Sequence, residues 1–466
     1  MLTIILSPNS SVPLYEQLYQ FIKVEIEKNR LQANDKLPSK RSLASHLKIS
    51  RSTIESAYYQ LQAEGYIRSK PGSGFYVEQI NEKLHSEKPE PNISYAKYDT
   101  QKPYEYEFKT SGIDINHFPL ATWSKLSREV LSEKKDEILL SSHPQGMNSL
   151  REEISQYLYS FRGIQASPEQ IIIGAGSEFL ISLIIQILGR NKTYALENPG
   201  YPKMQKIFYS NDVKTIPIGM DELGINISEL ELNDINVAHV TPSHHFPLGI
   251  VMPISRRMDL LNWAAQSENR FILEDDYDCE FRFTGRPIPA LQSMDSSGHV
   301  IYINTFAKTL APSLRISYIV LPKNLLKVYY ENFMFYSCTV PSFEQFTLYK
   351  FMHNGYFERH INRMRNIYRT RRDHLISLLM NSKLADYIEI IGQNAGLHFV
   401  MRINNGMGED ELVSSAKKQD VLVHGLSEYY TSTDIKHIIP SIVIGYSAIQ
   451  TEYLETCIKR LEGAWI

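Results

Sequence analysis

A lysine, an acid–tyrosine pair and an arginine stand in this chain at spacings suited to carbonyl chemistry. Lys308 follows the strand-like run VIYIN within "VIYINTFAKTLAPSLRISY". It lies past the C-terminal end of that run, where open α/β sheets place their ligands. A desolvated lysine amine there can form an imine with an aldehyde. Arg315 comes seven residues later, and its permanently charged guanidinium can grip a phosphate with two donors. Asp275 ends the run FILED and makes D-x-Y with Tyr277; residues two apart on a strand share a face. The turn GAGSEF joins strand-like IIIG to helix-like SEFLISLIIQIL, so N–H groups of Gly176 and Ser177 can hold an anion at a helix N-terminus. ENPGY supplies an aromatic, Tyr201, and TPSHHFPLG reads as a loop facing a ligand. Taken singly, each has a plainer reading: a solvated lysine, a strand-end acidic cluster open to a metal, an ordinary tight turn.

Together they match the needs of one cofactor. A pyridoxal 5'-phosphate (PLP) site requires a lysine for the aldehyde and an acid facing the pyridine nitrogen. It also requires a donor facing the ring hydroxyl and groups that bind the phosphate. Each requirement has a candidate here.

The elements that must position these residues alternate from about residue 107 onward. QIIIGAG, RFILEDDYD, VIYINTFAK and ISYIVLP read as strands separated by helical stretches, which predicts an α/β domain with a mostly parallel sheet. From about 342 to 466, a long helical run followed by IEIIG, LHFVMRI, DVLVHGL and SIVIGY predicts a smaller α/β subdomain.

The first 78 residues read differently. Leu14, Leu18, Phe21, Ile22 and Ile26 have helical spacing. Ser39 and Ser50 are placed to cap two further helices, the second with Ile54, Ala57, Tyr58 and Leu61 inward. YIRSKPGSGFYV reads as a hairpin. Helix, helix–turn–helix, hairpin is the order of an α+β winged helix. The N-terminal residues of its second helix-turn-helix helix, Ser50, Arg51, Ser52 and Thr53, are candidates for base contact, with Arg51 suited to guanine. Lys40 and Arg41 suit phosphates, and Lys70 and Ser73 suit the backbone or minor groove from the wing. A solvated face is the alternative for any one of these cations. Residues 79–106 are polar, contain three prolines and read as a linker, followed by the effector domain over 107–466.

Composition agrees. The 466 residues exceed one ordinary core and predict two or three domains. Net charge is −3, yet residues 1–78 hold ten basic against seven acidic side chains, which permits DNA contact. The longest apolar run, FLISLIIQIL, is about half a membrane span. Three scattered cysteines lack metal-ligand spacing, so no metal site is expected, and a reduced, cytoplasmic compartment is.

With LPSKRSLASHLKISRSTIESAYYQLQAEGYI, SHPQGMNSLREEI, IIIGAGSE, VTPSHHFPLG, ILEDDYDCEF and FAKTLAPSLRISY in this order, the chain resembles the MocR/GabR family of bacterial regulators. In that family a GntR-type winged helix precedes a fold-type I aminotransferase-like domain that keeps PLP as part of a sensor. The resemblance implies an internal aldimine at Lys308, Asp275 at the pyridine nitrogen and Tyr277 at the ring hydroxyl. It also implies that Thr305 and Arg315 join Gly176 and Ser177 at the phosphate. Its implied partners are operator DNA, a small-molecule effector and a second copy in a head-to-tail homodimer, with no membrane.

Two positions depart from the pattern. Ala448 stands where the family's carboxylate-binding arginine is expected, and Lys203 replaces a second arginine; Arg402 is a compensating candidate. An ordinary amino-acid ligand is therefore disfavoured. PLP itself becomes the simplest signal, as in the PdxR-type members that control vitamin B6 synthesis genes. The alternatives are a sensor of another amino compound, an aminotransferase with an accessory DNA-binding domain, and a DNA-binding protein whose large domain only dimerises.

Overall fold

The computed structural model describes residues 4, 6–8, 10–80, 104–285, 288–431 and 439–466. The chain divides into two compact units, Met1–Gln101 and Lys102–Ile466. Most of the segment expected to be a linker, 79–106, lies outside the described residues.

In the first unit, helices span Leu14–Glu27, Lys40–Leu47 and Arg51–Ala63. An antiparallel hairpin, Ile67–Lys70 with Gly74–Val77, follows. Both expected caps form: the Ser39 and Ser50 hydroxyls accept from the Ser42 and Thr53 N–H groups, each at 3.1 Å. Such a cap contributes about 1 kcal/mol. Leu18, Ile22, Leu43, Ile54, Tyr58, Leu61 and Val77 close one small core. This is the winged helix the sequence predicts.

The second unit is built on an eight-stranded sheet. Its order is Ile171–Gly174, Ser317–Val320, Val300–Thr305, Phe271–Asp275, Val237–Val240, Thr193–Asn198, Lys214–Asp221, Gly224–Ile225. The four from Val300–Thr305 to Thr193–Asn198 pair in parallel, as does Lys214–Asp221 beyond them. Ser317–Val320 runs antiparallel to both neighbours. It returns from Val300–Thr305 through residues 306–316 with only one short 3-10 turn, whereas a parallel crossover needs a dozen or more residues, usually in a helix. The helix Ser177–Leu188 is apolar over most of its circumference and is correspondingly buried against this sheet.

A second sheet, antiparallel throughout, has the order Ile388–Ile391, His398–Ile403, Ser441–Gly445, His424–Gly425. The smaller core begins later than the expected boundary near 342. Helix Ser342–His353 packs with Leu348, Phe351 and Met352 into the larger core. The changeover falls inside the helix Tyr356–Met380: Phe357 and Ile361 belong to the larger core, Met364 to Leu379 to the smaller. Tyr106 and Phe108 also join the smaller core, through the parallel pairing of Tyr106–Glu107 with Val421–Leu422. An unbroken helical pattern carries no mark of which core each turn faces, so the sequence could not place this division. No helix among the described residues is long and apolar enough to cross a membrane.

Candidate functional site

The parallel strands end at one cavity of about 250 Å³. All eight residues singled out for the cofactor line it: Lys308, Asp275, Tyr277, Arg315, Gly176, Ser177, Thr305 and Tyr201. The fold explains the convergence. Asp275 ends its strand opposite Ile303 of the next, so the turn after Thr305 carries Lys308 over the same sheet edge. Gly174 pairs with Ser317, which sets the Gly176–Ser177 turn beside Arg315.

The Lys308 amine is enclosed and donates to the Thr110 carbonyl at 2.7 Å. Burial brings it down to about 8, against an opposing pull from Asp278, so a fair fraction is a free nucleophile near neutral pH. Asp275 lies 3.3 Å from His239 Nε2, which orients its carboxylate at the sheet edge. Burial, then Asp278 and Asp275, push the Tyr277 phenol up, so it stays a protonated donor. The exposed Tyr201 ring packs edge-on to Phe246, centroids 5.6 Å apart.

At the other end lies the anion site. Gly176, the residue before helix Ser177–Leu188, has φ +91°. A Cβ there would meet the Arg315 guanidinium and the Glu178 carboxylate, so only glycine leaves room for both. Arg315 itself sits at φ 54°, a conformation that costs a non-glycine residue about 1–3 kcal/mol. Thr305 Oγ1 accepts from the Ala307 N–H at 3.1 Å and so shapes the turn. Arg315 and Lys203 both pair with Glu178, whose carboxyl is held down at about 2 by those two cations against the effect of burial.

A second basic residue for a ligand carboxylate is not free on this wall. Lys203 lines the cavity but is engaged by Glu178. Arg402 does not face it: it is exposed and pairs with Glu389 at 3.2 Å. Ala448 packs against Gly112, where an added Cβ would come within 2.4 Å of the alanine's own.

Several cavity residues escaped the sequence reading. Glu178 was legible only as an acid favourable at a helix start. His239 sits in NVAHV, in a strand buried along its whole length, so no alternation marks which side chain meets the cavity. Thr110, a contact of Lys308, comes from a stretch with no periodicity.

In the winged helix, Ser50, Arg51, Ser52 and Thr53 open helix Arg51–Ala63, Lys40 and Arg41 open helix Lys40–Leu47, and Lys70 and Ser73 lie on the hairpin. The Ser50 hydroxyl lies 2.8 Å from that of Ser52 and 2.7 Å from that of Thr53, so it is engaged in capping. Arg51 and Lys40 reach the same Glu55, at 3.2 and 3.6 Å. Arg41 and Lys70 are exposed, and the Ser73 hydroxyl is 2.6 Å from that of Tyr76.

Residues 14–77 match the bacterial regulatory proteins of the gntR family, and residues 113–460 match aminotransferase class I and II. The chain is 39% identical to the HTH-type transcriptional regulator YdeL of Bacillus subtilis, covering 100% of this chain and 99% of that one. It is 30% identical to the probable rhizopine catabolism regulatory protein MocR of Rhizobium meliloti, covering 99% and 96%. It is 29% identical to the HTH-type pyridoxine biosynthesis transcriptional regulator PdxR of Corynebacterium glutamicum, covering 99% and 98%. Among solved structures, the multiple substrate aminotransferase of Thermococcus profundus superposes with a TM-score of 0.68 at 22% identity, over 78% of this chain and 92% of that one. The residues present fit PLP, the cofactor of this fold family: an enclosed lysine amine, an oriented carboxylate, a phenol donor and a glycine cradle with an arginine share one cavity. The chain belongs to the MocR/GabR family of HTH-type transcriptional regulators, with a gntR-type winged helix joined to a PLP-binding aminotransferase class I and II domain.

Proposed function

We propose that this regulator senses PLP itself. The observation that carries the reading is the fate of the cations around the cavity. Among the described residues lining it, the cations are Lys308, Lys203 and Arg315; Lys308 would be taken by the cofactor aldehyde and Arg315 by its phosphate, Lys203 is held by Glu178, and Arg402 is exposed and pairs with Glu389. A ligand with a carboxylate would find no unengaged arginine, and a missing charge-assisted bond weakens binding by about 1.5–3 kcal/mol. The requirements of PLP are all met. Lys308 would hold it covalently, Asp275 would face the pyridine nitrogen and Tyr277 the ring hydroxyl. Gly176, Ser177, Thr305 and Arg315 would take the phosphate, with Tyr201 beside the ring. When bound, PLP supplies an aldehyde for the lysine and a visible chromophore. The pyridoxine biosynthesis role printed for the PdxR relative supports the same signal here, with control of vitamin B6 synthesis genes as its output.

The DNA contacts would come from Ser50, Arg51, Ser52 and Thr53 toward bases, and from Lys40, Arg41, Lys70 and Ser73 toward the backbone. A homodimer, head to tail, fits exposed apolar side chains that a lone chain would leave in water. Leu139 and Leu140 are 84% and 68% exposed. The Ser342 hydroxyl donates to the Leu140 carbonyl at 3.3 Å, and Phe343, next in the chain, is 44% exposed.

The test is a titration of apo-protein with PLP while operator affinity is followed. A ligand shifts a two-state protein only by its differential affinity for the two states. A change in affinity or footprint with PLP alone is expected. Identical binding by apo- and PLP-loaded protein would overturn cofactor sensing, and a response only to one added amine would transfer the role to that amine.

A further inference from the structure

One face of strand Val300–Thr305 carries a line of buried polar groups that the cofactor reading does not use. Ile303 pairs with Asp275 of the neighbouring strand, so Asp276, one residue on, falls on the face of Tyr302 and Asn304. Asp276 Oδ2 pairs with Arg162 Nη2 at 2.8 Å and accepts from the Tyr302 hydroxyl at 2.7 Å. Arg162 also donates to the Ser243 hydroxyl at 2.7 Å and to the Ile288 carbonyl. Both charges are buried, where an ion pair holds only with good geometry and further hydrogen bonds. This pair thus joins the end of helix Asn148–Arg162, the loop after strand Val237–Val240 and strand Val300–Thr305.

From there the hydrogen bonds run to the turn that bears the lysine. Tyr302 and Asn304 are two apart on their strand and share its face. Asn304 is 2% exposed and lines the cavity. Its Nδ2 donates to the Tyr302 oxygen at 3.0 Å and lies 3.5 Å from Cys279 Sγ. Its Oδ1 accepts from the Thr305 N–H. Thr305 Oγ1 accepts from the Ala307 N–H at 3.1 Å, and Lys308 is the next residue. The directions agree at every link. Burial, then the Asp276 charge, push the Tyr302 phenol well up, so it keeps its single proton and spends it on Asp276. Only lone pairs are left for Asn304 to meet. The side chain at 304 must therefore donate on one side and accept on the other, as an amide can.

We propose that Asn304 is a positioning residue for the cofactor lysine: it fixes the turn that carries Lys308 against the strand end that carries Asp275 and Tyr277. It does so by holding Tyr302, and through it Asp276, on one side and the Thr305 N–H on the other. The inference rests on Lys308 being the PLP lysine. The cofactor must meet the lysine at its aldehyde and Asp275 at its ring nitrogen together, so a shift of about 1 Å between turn and strand end spoils one contact or the other.

The test compares two ligands by titration of apo-protein. PLP needs the lysine; pyridoxine 5'-phosphate has the same ring and phosphate but no aldehyde for it. Asn304→Ala is expected to weaken PLP about tenfold and pyridoxine 5'-phosphate by less than about twofold. Amide hydrogen exchange in the apo-protein should speed up at Thr305 and Ala307. Tyr302→Phe should weaken PLP less than Asn304→Ala does. The double variant should bind PLP no worse than Asn304→Ala alone, because the two residues lie on one line of bonds. Equal losses for both ligands would reveal a loosened cavity rather than a misplaced lysine and would overturn the proposal, as would strictly additive effects. Should Asn304→Ala fail to fold, Tyr302→Phe carries the same two-ligand comparison. A borohydride-fixed adduct on another lysine in the wild type would overturn the cofactor-lysine reading and this one with it. An adduct at Lys308 that Asn304→Ala holds as tightly as wild type would overturn this one alone.

Discussion

The two units of this protein use one device at two strengths. In the winged helix, Glu55 bridges Arg51 and Lys40 at 3.2 and 3.6 Å. In the effector domain, Glu178 bridges Arg315 and Lys203. Each glutamate ties up one cation expected on phosphate, Lys40 or Arg315, together with a second, Arg51 or Lys203. The settings differ. Glu55 sits on an open helix face with its side chain 42% exposed, where an ion pair contributes roughly 0–1 kcal/mol and salt screens it. Glu178 is 28% exposed, stands at a helix N-terminus and has its carboxyl drawn down to about 2. A DNA phosphate displaces the first at little cost. A cofactor phosphate must take Arg315 from a carboxylate that holds it more firmly.

The largest effect tests whether the cavity is what the comparison assumes. Lys308→Ala should abolish covalent retention of PLP: no visible absorbance and no borohydride-fixed adduct. An adduct mapped to another lysine would move the site.

Next comes the strong bridge. Glu178→Gln removes a negative charge from beside the phosphate position and frees Arg315 and Lys203. PLP should bind tighter by about tenfold, roughly 1.4 kcal/mol, measured by absorbance titration. Weaker binding would mean that Glu178 preorganises Arg315 instead of competing for it. The acid limb of stability gives a second reading. The Glu178 carboxyl is depressed in the folded protein, so its contribution is present above about pH 4.5 and is lost as pH falls through about 2. The difference in melting temperature between wild type and Glu178→Gln should therefore close between those values.

Arg51→Ala addresses the weak bridge from the cation's side. Specific operator binding should weaken by about 1–3 kcal/mol with PLP still bound. Unchanged discrimination between operator and scrambled DNA would take Arg51 out of the base-reading set.

The contrast between the bridges also marks what was legible in sequence. Ser39, Ser50, the inward face of Ile54, Ala57, Tyr58 and Leu61, and the hairpin are local patterns, readable within a dozen residues. Lys308, Asp275 and Gly176 were legible because strand ends in an α/β sheet meet at one edge. The bridges were not. Glu178 meets Arg315 across 137 positions of chain, and His244 meets Asp278 across 34. Neither contact leaves any periodicity behind. The direction of strand Ser317–Val320, itself legible in ISYIVLP, was hidden for a related reason: a buried apolar run looks the same in either direction. Arg402 shows the converse error, a cation in the right neighbourhood of the sequence that alternation along its strand turns outward.

The smallest effect sharpens the comparison most, because it asks whether Glu55 competes at all. Glu55→Gln releases Arg51 and Lys40 and removes one negative charge from the face that meets DNA. If the bridge is a mere surface pair, its loss barely alters stability, by less than about 0.5 kcal/mol. Its effect on DNA should be visible only where phosphates and carboxylate contend for the same cations. Operator affinity should rise two- to fivefold at low salt, and the gain should shrink as ionic strength rises and the Debye length falls below about 8 Å. Non-specific DNA should gain as much as operator, since Lys40 is expected on phosphate. A gain confined to operator would instead place Glu55 in control of Arg51's reading of a base. A loss of affinity would show that Glu55 aims Arg51 at its target, and the parallel with Glu178 would then hold only in geometry.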